Sequence, residues 1–121
     1  MPSRARLDEF IAVVEAGDHA GAIERYYTED ASMQENAAPP RVGRDLLVAQ
    51  ERATLERVKS VTSTCVTSIL EGDRVAINWV FDFTYLSGKT ARIDEVALQE
   101  WRGDRIFRER FFYDPPKPKT V

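Results

Sequence analysis

The feature that most constrains the fold is a change in the hydrophobic pattern near Lys59. Before it, apolar residues such as Leu7, Phe10, Ile11 and Val14 recur at the spacing of one helix face. After it, the chain is rich in Val, Ile, Thr and aromatic residues, in extended segments separated by Gly-containing turns. Helices followed by a run of consecutive strands predict an α+β fold with an antiparallel sheet.

The pattern predicts three helices and four principal strands. Gly17 ends the first helix, and Asp18 caps the second, which stops before Asp30. The third helix is predicted from Arg44 to about Val58. The strands are predicted near residues 60–71, 74–86, 89–101 and 105–114.

Length and charge limit the class of partner. With 121 residues the chain is expected to form one domain, 1–121. Its segment 115–121 is predicted to be a mobile tail, because prolines lack the N–H donors of a β-ladder. Acidic and basic residues are mixed and the formal net charge is −3, so neither nucleic acid nor a membrane surface is expected as a partner. A cytoplasmic location is expected, because the N-terminal residues include no apolar run of signal-peptide length.

The second strand leaves the orientation of the sheet open. One set of its alternating side chains is large and apolar: Val75, Ile77, Trp79, Phe81, Phe83 and Tyr85. The other set is smaller and more polar: Ala76, Asn78, Val80, Asp82 and Thr84. Burial against the helices would select the aromatic set. A second subunit over the outer face would allow the reverse, with Trp79, Phe81 and Phe83 in a homodimer interface and Asn78 in a pocket.

Three single residues carry chemistry that the pattern constrains only partly. His19 begins the second helix and is predicted to be a solvated first-turn residue. Cys65 is the single cysteine, so no internal disulfide can form, and it is predicted to be a buried small side chain. Glu51 interrupts the apolar stripe of the third helix, either as a rim residue paired to an arginine or as a pocket carboxylate.

The most specific motif lies in residues 26–45. It consists of Tyr26-Tyr27, Glu29-Asp30, Gln34, Pro39-Pro40 and Gly43-Arg44-Asp45. This spacing resembles that of the limonene-epoxide hydrolases, and the ending 106–114 resembles theirs. More broadly the chain is similar to the nuclear-transport-factor-2-like superfamily, which includes ketosteroid isomerases and SnoaL-like polyketide cyclases. The resemblance implies a cone-shaped, curved antiparallel sheet wrapped around three N-terminal helices, a small-molecule pocket in the cone and commonly a homodimer through the outer sheet face.

The residues matched by this resemblance argue against two of the family's reactions. The epoxide hydrolases use an arginine flanked by two aspartates, and the matching positions here hold Asn78, Val80 and Phe111. The two residues that bind the attacking water in those enzymes match Met33 and Glu35. The carboxylate that moves a proton in the ketosteroid isomerases also matches Glu35, but their oxyanion donors match two apolar residues, Phe10 and Ala97. Losing each such donor costs about 3 kcal/mol of transition-state stabilisation.

The SnoaL-like cyclases depend on an acidic residue in the last strand for proton transfer. The matching position here holds Phe111, but Glu109 lies two residues earlier and on the same face of the strand. If Asn78 faces inward, Glu35, Glu95 and Glu109 share one apolar cavity, where repulsion and desolvation raise at least one pKa. Glu35 is then the predicted base and Glu95 or Glu109 the acid. The predicted substrate-binding residues are Met33, Asn78, Val80, Ile93, Phe111 and Tyr113.

The residues also have ordinary structural explanations. Glu95 and Glu109 could pair with arginines on a solvent-exposed sheet face, and Glu35 could accept hydrogen bonds from backbone N–H groups of the following loop. No metal is expected, because no histidine accompanies the three carboxylates, and no cofactor is expected.

Three function classes fit these predictions. The first is a cofactor-free acid–base enzyme, an isomerase, cyclase or dehydratase, acting on a small apolar carbonyl or hydroxyl compound. The second is a non-catalytic small-molecule binding module, and the third a protein-interaction domain that uses the aromatic sheet face. Carboxyls on opposite walls of a closed cavity would favour catalysis, whereas carboxyls neutralised by arginines would favour binding.

Overall fold

The computed structural model describes residues 1–115, which form three helices and six strands. The helices are α1 (Arg4–Glu15), α2 (His19–Tyr26) and α3 (Arg44–Leu55). The strands are β1 (Tyr27–Glu35), β2 (Arg41–Val42), β3 (Val58–Glu71), β4 (Arg74–Tyr85), β5 (Thr90–Arg102) and β6 (Arg105–Tyr113). Apart from Pro115, the tail predicted at 115–121 lies outside the described residues. None of the described helices is both long and apolar enough to cross a membrane.

Side-chain caps fix the N-terminal ends of the first two helices. The Ser3 hydroxyl accepts a hydrogen bond from the Arg6 N–H at 3.0 Å, and the Asp18 carboxylate accepts one from the Gly21 N–H at 3.0 Å. Gly17 leaves α1 at a φ of 90°, in the left-handed region that favours glycine. The predicted end of the first helix and the predicted cap of the second are therefore confirmed.

One sheet contains all six strands in the order β2-β1-β6-β5-β4-β3. The pairs from β6 to β3 are antiparallel, as predicted, whereas β1 runs parallel to β6. The second helix, predicted to stop before Asp30, ends at Tyr26, and β1 begins at Tyr27. The buried apolar core lies between the inner sheet face and the helices, which confirms the predicted α+β class with a curved sheet around three helices.

The aromatic face of β4 points toward the helices. Trp79 lies opposite Glu95, and Phe81 lies opposite Ile93. Directly opposed residues of neighbouring strands point to the same side of a sheet, so a face that carries Glu95 inward must carry Trp79 inward too. Trp79 is accordingly only 2% exposed, whereas the Asn78 amide donates to Asp94 at 2.8 Å on the outer face.

This register corrects two predictions. Asn78 and Val80 do not face the pocket, because they alternate with inward-facing aromatic residues. The homodimer interface predicted through Trp79, Phe81 and Phe83 is also wrong, because these side chains line the interior of their own subunit.

Candidate active site

A cavity of about 340 Å³ lies between the inner sheet face and the helices. Four glutamates contribute to its walls within the described part of the chain: Glu35, Glu51, Glu95 and Glu109. The remaining walls are largely aromatic and aliphatic. Such a combination of an apolar cavity with a few convergent titratable groups is typical of small-molecule sites.

A row of aromatic rings forms the β4 wall. The rings of Trp79 and Phe81 are stacked with centroids 5.5 Å apart, and those of Phe83 and Tyr85 are stacked at 5.9 Å. Alternate residues of a strand share a face, so the sequence alternation places the four rings in one row. This wall offers a flat apolar surface to a ligand.

Glu109 lies at the buried end of the cavity and is 2% exposed. The Tyr27 hydroxyl donates to one of its carboxylate oxygens, and the Gln99 amide donates to the other at 2.6 Å. The Gln99 carbonyl in turn accepts from the Trp101 indole N–H at 3.0 Å. Burial raises the pKa of Glu109 to about 7, although the two hydrogen bonds to its charged form act in the opposite direction.

Glu95 lies nearer the middle of the cavity wall and is 8% exposed. Its carboxyl faces the cavity, and burial and neighbouring charges, not hydrogen bonds, dominate its surroundings. Burial, followed by the negative charges of Glu109, Glu35 and Glu51, raises the pKa of Glu95 to about 8. At neutral pH this carboxyl therefore holds its proton and can donate it.

Glu35 lies at the open rim of the cavity, and its side chain is 49% exposed. Its carboxylate is 3.9 Å from the guanidinium of Arg41, which also donates to the Gln50 carbonyl at 2.7 Å. Parallel pairing with Phe111 of β6 carries Glu35 to this position. Burial, together with the nearby charge of Glu35, raises the pKa of Tyr113 on the same rim.

His19 is not the solvated residue that its position in the sequence predicts. Its side chain is 11% exposed and lines the cavity, with its ring edge toward Phe81. Ring atom Nε2 is 2.8 Å from the Ser63 hydroxyl, and Nδ1 is 3.4 Å from the Glu51 carboxylate. Of the two alternatives for Glu51, the structure therefore favours the pocket carboxylate, paired with a histidine instead of an arginine.

Most of the predicted site residues come together in this cavity. Those on its walls are Glu35, Glu95, Glu109, Met33, Ile93, Phe111 and Tyr113. Sequence reasoning missed the contributions of His19, Tyr27, Arg41, Trp79, Phe81 and Gln99. The alternation of β4 contained the signal for Trp79 and Phe81, but no local pattern identifies His19 or Gln99. Within residues 1–115, no three His, Cys, Asp or Glu side chains converge closely enough to hold a metal ion.

Comparison with known proteins agrees with this fold. Residues 7–109 match the family model of the SnoaL-like domain. A protein proposed to be a SnoaL-like polyketide cyclase, and also described as a carbohydrate phosphatase, from Mesorhizobium loti has a structure 26% identical in sequence, with a TM-score of 0.78 over 93% of this chain and 100% of that one. No curated protein matches the chain.

Two further solved structures share the fold at lower identity. A protein with a ketosteroid isomerase-like fold from Catenulispora acidiphila, in complex with trimethylamine, is 17% identical, with a TM-score of 0.78 over 93% of this chain and 88% of that one. TerC, co-crystallised with polyporic acid, is 16% identical, with a TM-score of 0.74 over 91% and 89% of the two chains.

Proposed function

The chain belongs to the SnoaL-like domain family, and from that premise we propose that its cavity is the active site of a cofactor-free acid–base enzyme. The enzyme acts as an isomerase, cyclase or dehydratase on a small apolar compound that carries a carbonyl or hydroxyl group. The observation that carries the proposal is the buried carboxyl of Glu95, which faces an apolar cavity that holds further carboxyls and whose pKa this burial raises to about 8.

In this proposal Glu95 is the proton donor. A proton transferred from Glu95 to a carbonyl oxygen would stabilise the enol formed when a base removes a proton from the neighbouring carbon. Glu109 acts indirectly: the Tyr27 hydroxyl and the Gln99 amide donate to its carboxylate, and in its charged form it raises the pKa of Glu95. Glu35, which the sequence suggests as the base, lies at the rim of the cavity.

The rest of the cavity binds the ligand. Met33, Ile93 and Phe111 provide further apolar walls beside the aromatic row of β4, and Tyr113 at the rim orients a polar group of the substrate. Asn78 and Val80 have no part in this site, because they lie on the outer face.

The charge balance of the cavity favours catalysis over simple binding. Within residues 1–115 neither Glu95 nor Glu109 forms a salt bridge with an arginine or lysine, and the single such pair at the rim, Glu35 with Arg41, is 3.9 Å long. Two buried carboxyls without a cationic partner are costly to ionise, as their raised pKa values show, and a binding module would gain nothing from them. The protein from Mesorhizobium loti, proposed to be a polyketide cyclase, adds support because it shares 26% identity over nearly the whole chain.

Deuterium exchange into a simple ketone tests the proposal. The wild-type protein is expected to accelerate α-proton exchange of 2-tetralone in heavy water above the buffer rate, measured by proton NMR. Glu95→Gln, which cannot donate a proton, should lower the protein-dependent rate on the order of a hundredfold.

The matched control is Glu100→Gln, because Glu100 lies on the outer sheet face and pairs with Arg108. It should exchange the ketone at the wild-type rate. Wild-type exchange no faster than buffer, or equal rates for Glu95→Gln and Glu100→Gln, would refute the proposed acid–base activity.

The homodimer and the cytoplasmic location expected from the sequence stay predictions. A homodimer through the outer sheet face would have to use Val96, Leu98 and Phe112, which are 42%, 43% and 41% exposed. Sedimentation of the wild type and of Leu98→Arg tests this: a dimer that uses this face should dissociate in the variant, and a monomeric wild type would refute it.

A further inference from the structure

A second group of polar side chains lies on the helix wall of the cavity, separate from the buried carboxyls of the sheet wall. His19 is the first residue of α2, Glu51 lies in α3 and Ser63 lies in β3. The His19 ring bridges the other two, with Nε2 2.8 Å from the Ser63 hydroxyl and Nδ1 3.4 Å from a Glu51 carboxylate oxygen. Both His19 and Glu51 line the cavity, whereas Ser63 is buried behind the ring.

The contacts of His19 favour one tautomer. A carboxylate can only accept hydrogen bonds, so the tautomer that can donate toward Glu51 is the one with its proton on Nδ1. In a neutral imidazole Nε2 is then an acceptor, and the Ser63 hydroxyl can donate to it. The Ser63 hydroxyl thus holds one side of the ring, and on the other side Nδ1 lies 3.4 Å from one oxygen of Glu51.

Glu51 is oriented toward ligand space by this arrangement. Its side chain is 30% exposed, less than that of Glu35 at 49%. Its contact with His19 involves one oxygen, so the other remains available to a ligand in the cavity. The carboxyl of Glu95 belongs to the sheet wall, so a ligand between helices and sheet would have one carboxyl on each side.

We propose that Glu51, positioned by His19, is a catalytic base on the helix wall, and that the substrate class is a carbonyl compound with an acidic C–H bond beside the carbonyl. This inference rests on the proposed acid–base function and deepens it. Glu51 takes the proton as the C–H bond breaks, and the electron pair of that bond forms a C=C bond. The carbonyl oxygen takes the proton of Glu95, so a ketone becomes an enol and the two carboxyls exchange protonation states. Reprotonation at carbon reverses or completes the isomerisation.

The base is tested by a reaction that needs no acid. In 5-nitrobenzisoxazole a base removes the C–H proton, the N–O bond breaks, and the coloured 2-cyano-4-nitrophenolate forms. The wild type should catalyse this elimination, and Glu51→Gln should lower kcat/KM on the order of a hundredfold. Glu100→Gln on the outer face is the matched control and should keep the wild-type value.

Two further variants keep this test decisive. Glu51→Asp retains the charge but withdraws it from the ligand, and should also lose most of the rate. If Glu51→Gln and Glu51→Asp both retain the wild-type rate while Glu35→Gln loses it, the base is at the rim and the inference is wrong. A wild-type protein that does not accelerate the elimination overturns it as well.

The positioning role of His19 has its own readout. This histidine is the single one in the chain, so the nitrogen-15 NMR signals of its side chain are unambiguous. They should show the proton on Nδ1 in the wild type and a changed Nδ1 signal in Glu51→Gln. His19→Gln should lower kcat for the elimination about tenfold with little change in KM. A proton on Nε2 in the wild type, or an unchanged kcat in His19→Gln, would refute the role.

The two proposals can fail separately. If the elimination depends on Glu51 but 2-tetralone exchange is no faster than in buffer, the base stands and the acid–base function on ketones falls. If exchange depends on Glu95 while neither reaction depends on Glu51, the function stands and the helix-wall base falls.

Discussion

The replacement of Glu95 by Gln should make the protein more stable at alkaline pH and weaken the pH dependence of its stability. In the folded state the pKa of Glu95 is raised from 4.5 to about 8, first by burial and then by the neighbouring carboxylates. The unfolded chain therefore releases this proton at a lower pH than the folded one. Below the unfolded pKa the contribution of the protonated carboxyl is fully present, and it is lost as pH rises through the folded pKa.

The magnitude follows from the same two pKa values. A rise from 4.5 to about 8 corresponds to about 5 kcal/mol of stability lost between these limits. Glu109, whose pKa is raised to about 7 by burial, causes a further loss of stability with rising pH, and this loss is complete at a lower pH than the loss due to Glu95. Glu95→Gln removes the first contribution and leaves the second, because glutamine has nearly the same shape and no charge at any pH.

Urea unfolding followed by tryptophan fluorescence measures this effect, since Trp79 and Trp101 are both buried. Between about pH 5 and pH 8 the free energy of unfolding of the wild type should fall by several kcal/mol, and that of Glu95→Gln by about 3 kcal/mol less. Glu100→Gln should follow the wild type. Parallel pH curves for the wild type and Glu95→Gln would refute the argument that Glu95 is buried as a neutral acid.

Four other substitutions test the structure more locally. Trp101→Phe removes the indole N–H that donates to Gln99, which leaves a buried carbonyl without its donor and should cost about 1–3 kcal/mol in urea unfolding; an unchanged midpoint would refute the buried network. Gly43 precedes α3 at a φ of 110°, so Gly43→Ala should cost about 1–3 kcal/mol by thermal or urea unfolding, and an equally stable variant would contradict this backbone conformation. Asn78→Ala on the outer face should leave 2-tetralone exchange unchanged, whereas Phe81→Ala in the aromatic wall should lower it by raising KM; the opposite result would restore the reverse orientation of β4.

Local patterns were sufficient for the three helices and the four principal strands. The spacing of Leu7, Phe10 and Val14 identified the buried face of α1, and Asp18 marked the start of α2 because its side chain can accept from a free N–H. The Gly-containing turns separated β3 to β6 close to their observed ends. The first strand was harder, because its polar residues have little intrinsic strand preference and it is stabilised by pairing with the distant β6.

The same residues show where the information in the sequence ends. Alternation along β4 divides its side chains between two faces, and the sequence determined that Trp79 and Asn78 must be on opposite ones. Which face turns inward was decided by tertiary structure, through the pairing that sets Trp79 beside Glu95. The cluster of His19, Glu51 and Ser63 also exists only in the folded chain, because α2, α3 and β3 bring its members together from distant positions. Periodicity is a property of neighbours along the chain, whereas these contacts depend on how separate elements pack, and no local spacing specifies that.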